Sequence, residues 1–203
     1  MDDSTGDSAR VVPATPPTDV FTLTEAAQRY DEFISQFADM RTAGRQRTPE
    51  RHVSFLTEFL NPPSFNFTTF ENEGMDEMVV QVGIPFFSLC EHHVVPFFGT
   101  AAVAYVPEKT ICGLSKLARA VQHYARALQN QERITTQVAD RLMTELSPKG
   151  VAVLLSARHM CMEMRGVRTH STWTRTEALR GLFKEDARAR SEFLALATHV
   201  DRA

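Results

Sequence analysis

The stretch EMVVQVGIPFFSLCEHHVVPFFGTAAVAYV, residues 77–106, decides the fold. Residues 77–84 and 100–106 are rich in β-branched side chains, which are typical of strands. The polar motif CEHH lies between them, and Pro96 and Gly99 behind it favour a loop. We therefore expect a long hairpin whose connection carries a cysteine and two histidines.

Further elements follow the hairpin in a regular order. Apolar residues recur at helical spacing in two consecutive stretches, which predicts a pair of amphipathic helices. Two strands and a short closing helix come after them. The order of two strands, two helices and two strands indicates an α+β fold. The first helix is predicted over 114–129, and the second begins at Gln131 and carries its apolar stripe from Ile134 to Leu146. The strands are predicted over 151–167 and 172–179, and the closing helix over 187–197.

The strand predicted over residues 151–167 has a distinctive second half. It begins apolar and then alternates strictly between polar residues and methionines. Because alternate residues of a strand share a face, the methionines face one side and the polar residues the other. This polar face is expected to line a site, and it carries His159, Cys161, Glu163 and Arg165.

The residues before the hairpin divide into a tail and a helical arm. The first 20 residues are acidic and rich in Pro, Ser and Thr, without the basic start and apolar core of a signal peptide, so we expect disorder. Helical spacing and capping residues predict two helices, over 23–40 and 48–60. The expected division is a tail over 1–20, an arm over 21–65 and a main domain over 66–203.

Composition excludes several functional classes. With 203 residues and 43% hydrophobic content, the chain can bury one core. A formal net charge of −3 offers no general attraction to polyanions, so nucleic acid is not an expected partner. No apolar run approaches the roughly 20 residues that span a bilayer, so no membrane is expected either. Three cysteines without an export signal indicate reduced thiols or metal ligands, and a cytoplasmic protein.

Cys90, His93 and Cys161 could bind one metal ion. The C-x-x-H spacing lets a thiolate and an imidazole reach the same cation, and zinc accepts both ligand types. No fourth protein ligand is evident, and a set of three leaves a position for water, whose pKa zinc lowers to about 7. A cysteine is also often a small buried hydrophobe, and the residues alone leave that alternative open for Cys161.

His92 and His159 each lie beside a candidate ligand. A hydrolytic site places a general acid or base in such a position. A histidine that only supports a ligand or packs in the core is the alternative reading for either residue. The spacing favours a catalytic role for both.

Two helix starts carry candidate binding residues. The first core helix opens with Ser115, Lys116 and Arg119, which offer a hydroxyl and two cations where free backbone N–H groups favour an anion. A solvated helix face also explains them, but it does not explain the further cation, Arg165. The second core helix opens with the pair Gln131 and Glu132. Acidic residues suit any helix start, yet a carboxylate also matches the N1 and N2 hydrogens of guanine, and the residues alone do not decide.

Four segments resemble the GTP cyclohydrolase I family: SLCEHHVVPFFG, ICGLSKLAR, LQNQERIT and HMCMEMRGV. The resemblance covers about residues 48–197. It implies a tunnelling fold, in which an antiparallel sheet with paired helices assembles into an oligomeric barrel. The family's usual form is a homodecamer of two stacked pentameric rings, with the sites between subunits.

The resemblance also implies a role for each candidate residue. Zn²⁺ would be bound by Cys90, His93 and Cys161, while His92 and His159 would relay protons. Guanine would be read by Gln131 and Glu132, and the triphosphate held by Ser115, Lys116, Arg119 and Arg165. The implied reaction opens the imidazole ring of GTP at C8, releases formate and forms 7,8-dihydroneopterin triphosphate.

Two alternatives and two departures accompany this resemblance. A purine nucleotide hydrolase of the same fold with another product is one alternative, and a catalytically silent GTP-binding subunit is the other. Residues 173–177, WTRTE, differ from the Lys-Thr-Val-Thr-Ser type of stretch usual in relatives, and Gln81–Gly83 replaces an often charged pair. Neither departure involves a proposed metal ligand.

Overall fold

The structure, a computed structural model, describes residues 22–198. The described part of the chain divides into two compact units, with the boundary between residues 57 and 58. The tail predicted over residues 1–20 lies outside the described part, and the division between an arm and a main domain at residue 65 stays a prediction. Between residues 22 and 198, no helix has the length and apolar character needed to cross a membrane.

The first unit contains α1 (Leu23–Ile34) and the start of α2 (Thr48–Leu60). Thr22 and Glu25 form a capping box, since the Glu25 N–H donates to Thr22 Oγ1 and the Thr22 N–H donates to Glu25 Oε2. The predicted continuation of α1 to residue 40 is wrong. Near that end, the Asp39 side chain accepts the Arg41 backbone N–H, a local bond that competes with helical pairing.

The second unit contains the main sheet and its helices. In chain order its elements are β1 (Thr69–Glu71), β2 (Val79–Cys90), β3 (Pro96–Val106), β4 (Thr110–Cys112), α3 (Ser115–Ala125), β5 (Leu128–Gln129), α4 (Gln131–Leu146), β6 (Gly150–His159), α5 (Met160–Glu163), β7 (Thr174–Gly181), α6 (Leu182–Glu185) and α7 (Ala187–Thr198). The predicted α+β class is therefore confirmed, with the main strands and helices in the predicted order.

Five strands form the main sheet in the order β5-β2-β3-β6-β7. Only the short pairing of β5 with β2 is parallel, while the other three pairings are antiparallel. β1 and β4 form a separate two-stranded sheet. Antiparallel neighbours bring the end of one strand beside the start of the next, so residues distant in sequence meet at each end of the sheet.

Both faces of the main sheet are covered. Along β3, Ala101, Val103 and Tyr105 pack with α3 and α4, whereas Ala102 and Ala104 pack with the cluster that includes α6 and α7. This alternation follows from the period of two in a strand. The helices on the first face bury their apolar stripes completely, and each fully buried Leu or Ile contributes on the order of 1.5–3 kcal/mol.

The hairpin strands extend further than the sequence predicts. β2 continues to Cys90 and β3 begins at Pro96, with Leu89 opposite Pro96, so the CEHH motif forms the tip of the hairpin. Gly99 permits the close approach of β6, because a Cβ there would lie 1.9 Å from the Ser156 carbonyl oxygen. The metal-binding candidates of the motif therefore lie directly at the end of a rigid sheet.

The strand predicted over residues 151–167 ends at His159, and the expected polar face beyond it is wrong. Phe97, the second residue of β3, is the partner of His159, so the ladder with β3 stops there. The chain then turns into α5, and Arg158 Nε donates to Glu163 Oε1 at 2.8 Å. Glu163 is thereby buried in an ion pair and does not share a strand face with Cys161.

Candidate metal centre

The CEHH turn is tight and its first cysteine is buried. The Cys90 N–H donates to the Val95 carbonyl at 2.9 Å, and the Cys90 carbonyl accepts the Val94 N–H at 2.8 Å. Val94 adopts a left-handed backbone with φ of 53°, which is rare for a β-branched residue. The turn leaves His92 and His93 exposed beside the buried cysteine.

Cys161 reaches the turn from the neighbouring strand. His159 ends β6 opposite Phe97, and the helical turn α5 then carries Cys161 to the thiol of Cys90. Burial, followed by the nearby Cys90 thiol, raises the pKa of Cys161. The Cys161 thiol therefore resists ionisation until a cation compensates the negative charge of its thiolate.

The ligand atoms of Cys90, His93 and Cys161 all lie within 4.8 Å of one another. Two sulfurs and one imidazole nitrogen are a donor set that suits zinc. Among the described residues, no fourth histidine, cysteine or carboxylate belongs to this group. The residues therefore fit a zinc ion with one coordination position left for a ligand from outside the protein.

Arg165 contacts the imidazole of the set. Its Nη1 lies 2.8 Å from His93 Nε2. His93 Nδ1 faces the Cys90 sulfur at 3.9 Å. Although the predicted strand face does not exist, α5 and the following turn bring Arg165 to the metal centre.

His159 is held in one tautomer by Gln131. The Gln131 side-chain nitrogen faces three oxygens, so its oxygen must face His159 Nε2, at 2.8 Å, and Nε2 carries the proton. Those three oxygens, at 3.0–3.1 Å, are the Leu155 carbonyl, the Thr174 carbonyl and the Thr176 hydroxyl. The Nδ1 of a neutral His159 is therefore the nitrogen that is able to accept a proton.

The environment of His159 favours the neutral ring. Burial is the main cause that lowers its pKa, and the negative charge of Glu132 opposes this shift. The ring stacks on Phe97 with centroids 4.7 Å apart. Gln131 is buried and engaged with His159, while Glu132 is exposed at the first turn of α4, so their predicted role in reading guanine stays a prediction.

His92 lies on the exposed side of the turn. Its Nδ1 is 3.6 Å from the Cys90 sulfur, and its Nε2 is 3.9 Å from Glu91 Oε1. The structure thus gathers both predicted proton-relay histidines around the three candidate ligands. His92 is the more accessible of the two, because its side chain is 67% exposed.

The predicted phosphate residues lie at the other end of the sheet. α3 begins beyond β4, whose Cys112 N–H donates to the Tyr105 hydroxyl, and Tyr105 pairs with Val79 at the start of β2. α3 then runs for 11 residues, about 16 Å, towards β5, which pairs with the end of β2. Within one chain, the start of α3 is therefore remote from the metal centre.

At that remote end, Ser115 and Arg119 are exposed. The Lys116 ammonium donates to the Asn66 carbonyl at 2.7 Å. Leu114 provides no side-chain cap for α3, and the N–H groups of Lys116 and Leu117 donate to the Gly113 and Leu114 carbonyls, so only the N–H groups before them are left for another acceptor. The chemistry suits an anion, but the structure does not bring these three residues to Cys90.

Comparisons with known proteins identify the family. The sequence model described as GTP cyclohydrolase I matches residues 26–198. The protein named GTP cyclohydrolase 1 from Aquifex aeolicus (strain VF5) is 45% identical over 179 residues, covering 88% of this chain and 96% of that protein. Its namesake from Hydrogenobaculum sp. (strain Y04AAS1) is 47% identical over 159 residues, covering 78% and 87%. A third, from Synechococcus sp. (strain JA-2-3B'a(2-13)), is 48% identical over 172 residues, covering 79% and 72%.

This chain belongs to the GTP cyclohydrolase I family. The matched region contains all three candidate metal ligands, both predicted relay histidines and both helix starts. The resemblance carried by the four sequence motifs is thereby confirmed. The roles of the individual residues stay predictions.

Three polar residues of this GTP cyclohydrolase I site were not singled out from the sequence: Glu91, Asn130 and Arg133. The Glu91 carboxylate accepts from Arg133 at 2.6 and 3.1 Å and from Asn130 Nδ2 at 3.0 Å. These bonds, that of Arg133 first, hold the pKa of Glu91 below its usual range. Asn130 was the available signal, since asparagine before a helix start is a strong N-cap.

Replacement of Cys161 by serine is expected to remove bound zinc. A serine hydroxyl does not ionise near neutral pH, so the zinc affinity should fall by more than about 100-fold, beyond what loss of an outer partner costs. Cys112→Ala is the matched control, because Cys112 is outside the ligand group. Metal content is measured by mass spectrometry on purified protein. Full zinc retention in Cys161→Ser would remove this residue from the ligand set.

Proposed function

We propose that this member of the GTP cyclohydrolase I family opens the imidazole ring of GTP at C8, releases formate and forms 7,8-dihydroneopterin triphosphate. The observation that carries this proposal is the three-ligand group of Cys90, His93 and Cys161 beside a half-buried His159, whose pKa is lowered by burial. A set of three ligands is typical of catalytic rather than structural zinc.

Cys90, His93 and Cys161 would hold Zn²⁺ in this enzyme. Zinc in such a site supplies Lewis acidity, which makes water a competent nucleophile near neutral pH. Cys90 is buried and Cys161 is partly buried. This burial supports tight zinc binding, because a low local dielectric strengthens the attraction of thiolates for the cation.

The two histidines would move protons at stated atoms. His159 donates through Nε2 to Gln131, which leaves Nδ1 as the base that accepts a proton during ring opening. His92, exposed beside the Cys90 sulfur, is the candidate acid that protonates a leaving nitrogen. Their separate environments suit opposite roles, since the burial of His159 favours its neutral form.

Recognition of guanine would rest on the first turn of α4. The exposed Glu132 carboxylate is able to accept from both N1–H and the N2 amino group, and its charge acts on His159. Gln131 would serve the same end of the substrate by orienting His159. The triphosphate would bind Ser115, Lys116, Arg119 and Arg165, which together offer a hydroxyl and three cations.

Assembly of several copies would complete the site. Arg165 lies at the metal centre, whereas the start of α3 with Ser115, Lys116 and Arg119 lies about 16 Å along the helix at the opposite end of the sheet. This separation supports a site between subunits, where one chain supplies the metal centre and another the start of α3. We propose a homodecamer of two pentameric rings, and the reduced cysteines support a cytoplasmic location.

Purified protein incubated with GTP is expected to release formate and to yield a product that becomes a fluorescent pterin on oxidation. A zinc chelator should abolish both signals, and added zinc should restore them, because water activation requires the cation. Formate without a fluorescent pterin would support a same-fold hydrolase with another product. GTP binding without any zinc-dependent formate would contradict the proposed function in favour of a silent subunit.

Glu132→Gln is expected to lower kcat/KM for GTP by about 10- to 100-fold, the cost of losing hydrogen bonds to a charged acceptor. Inosine triphosphate lacks the N2 amino group, so the preference for GTP over it should also shrink. Glu145→Gln, on the same helix in an ion pair with Arg141, is the matched control and should leave both values unchanged. An unchanged preference in Glu132→Gln would exclude this carboxylate from guanine recognition.

A further inference from the structure

The CEHH turn depends on support from outside its own backbone. Val94 adopts a left-handed conformation and is 47% exposed, so apolar burial contributes little to holding it there. Such conformations persist only where surrounding contacts enforce them. Because Cys90, His92 and His93 all belong to this turn, the geometry of the metal centre depends on whatever fixes it.

A network of charged and polar side chains fixes the turn at Glu91. The Glu91 carboxylate accepts two parallel bonds from the Arg133 guanidinium, at 2.6 and 3.1 Å, and a third from Asn130 Nδ2. The Glu91 N–H also donates to the Gln129 carbonyl at 2.9 Å. Two-pronged bonding of this kind restricts both the position and the orientation of a carboxylate.

The other end of the network is anchored in buried structure. Arg133 Nη1 also donates to Gln129 Oε1, and Gln129 is only 4% exposed. The amide nitrogen of Gln129 in turn donates to the Tyr124 carbonyl and to Gln137 Oε1. Arg133 is therefore held by α4 and its buried neighbours, and it transmits that rigidity to Glu91.

The same residues define the start of α4. Asn130 is the N-cap, and its Oδ1 accepts the Arg133 backbone N–H at 2.8 Å. Gln131, which orients His159, and Glu132, the candidate guanine acceptor, lie between Asn130 and Arg133 in the sequence. The bonds of Asn130 and Arg133 therefore fix the helical turn that carries both residues. One set of bonds thus connects the CEHH turn, which carries metal ligands, to the first turn of α4, which carries the recognition residues.

We propose that Glu91, Asn130 and Arg133, here termed the clamp, are positioning residues that hold the metal ligands of the CEHH turn in register with the first turn of α4. The clamp acts through Cys90 and His93 on zinc affinity and through Glu132 on substrate affinity. This inference rests on the proposed zinc centre and extends it to residues that touch neither metal nor substrate.

Zinc affinity, measured without GTP by competition with a chromophoric chelator, tests the clamp. Glu91→Gln and Arg133→Gln are each expected to weaken zinc binding by about 10-fold or more, the usual effect of removing an outer partner of metal ligands. The double variant should lose no more than either single variant, because both changes break the same contact. Arg133→Lys keeps the charge without the planar fork and should lie between wild type and Arg133→Gln.

Substrate affinity supplies the second readout. With saturating zinc, Glu91→Gln and Arg133→Gln should still raise the KM for GTP, since the turn and the start of α4 are no longer aligned. Asp140→Asn is the matched control, because it breaks another carboxylate–guanidinium pair of the same helix, with Arg180 at 2.9 Å. That control should keep wild-type zinc affinity and KM.

Two results would overturn the clamp. Wild-type zinc affinity in both Glu91→Gln and Arg133→Gln would show that the turn needs no such support. Additive losses in the double variant would show that the two residues act separately. Thermal unfolding shows whether each variant is folded. If Glu91→Gln is unfolded, the zinc affinity of Arg133→Lys is the deciding measurement. Absence of zinc binding in the wild type would instead overturn the metal centre itself.

Discussion

The pairing of β2 with β3 up to the turn that connects them is the constraint on which the site depends. Leu89 lies opposite Pro96, so the CEHH turn begins directly where the sheet ends. The same end receives β6, with His159 opposite Phe97, and β5, with Gln129 beside Cys90. These registers are firmly fixed, because a slip by one residue would move every side chain of a strand to the opposite face of the sheet, where a different set of helices packs.

Convergence of strand ends explains why chemically reactive groups share so small a volume. Two thiols and an imidazole lie together at Cys90, Cys161 and His93, and the pKa of Cys161 is raised by burial and by its neighbour. Without a cation, placing two thiols and an imidazole this close together brings no stabilising interaction between thiolates. A zinc ion converts the mutual destabilisation of two thiolates into attraction, which is why the cluster is best understood as a binding site.

Local sequence signals predicted the parts of the fold and site that depend on local physics. The β-branched stretches indicated the hairpin, helical periodicity indicated α3 and α4, and the C-x-x-H spacing with Cys161 indicated the metal ligands. Features set by tertiary contacts were missed. β6 ends at His159 because its neighbour β3 begins at Pro96 and offers no further residues for pairing. The burial of Glu163 depends on its ion pair with Arg158.

The same reasoning explains the two remaining gaps. Nothing in residues 88–99 shows that Glu91 accepts from Arg133, because the two positions are 42 residues apart. Likewise, a hydroxyl and two cations at a helix start indicated an anion beside Ser115, but only the course of α3 along β2 reveals that this helix start is remote from Cys90. Distances between elements follow from topology, which a linear pattern does not contain.

X-ray absorption at the zinc edge of the zinc-loaded protein tests the central claim most directly, since it counts the ligand atoms around the metal. The account predicts two sulfur ligands at about 2.3 Å and lighter nitrogen or oxygen ligands at about 2.0–2.1 Å, one of them from outside the protein. A zinc ion with fewer than two sulfur ligands, or with a closed shell of four protein ligands, would contradict the claim that Cys90, His93 and Cys161 form an open, catalytic metal centre.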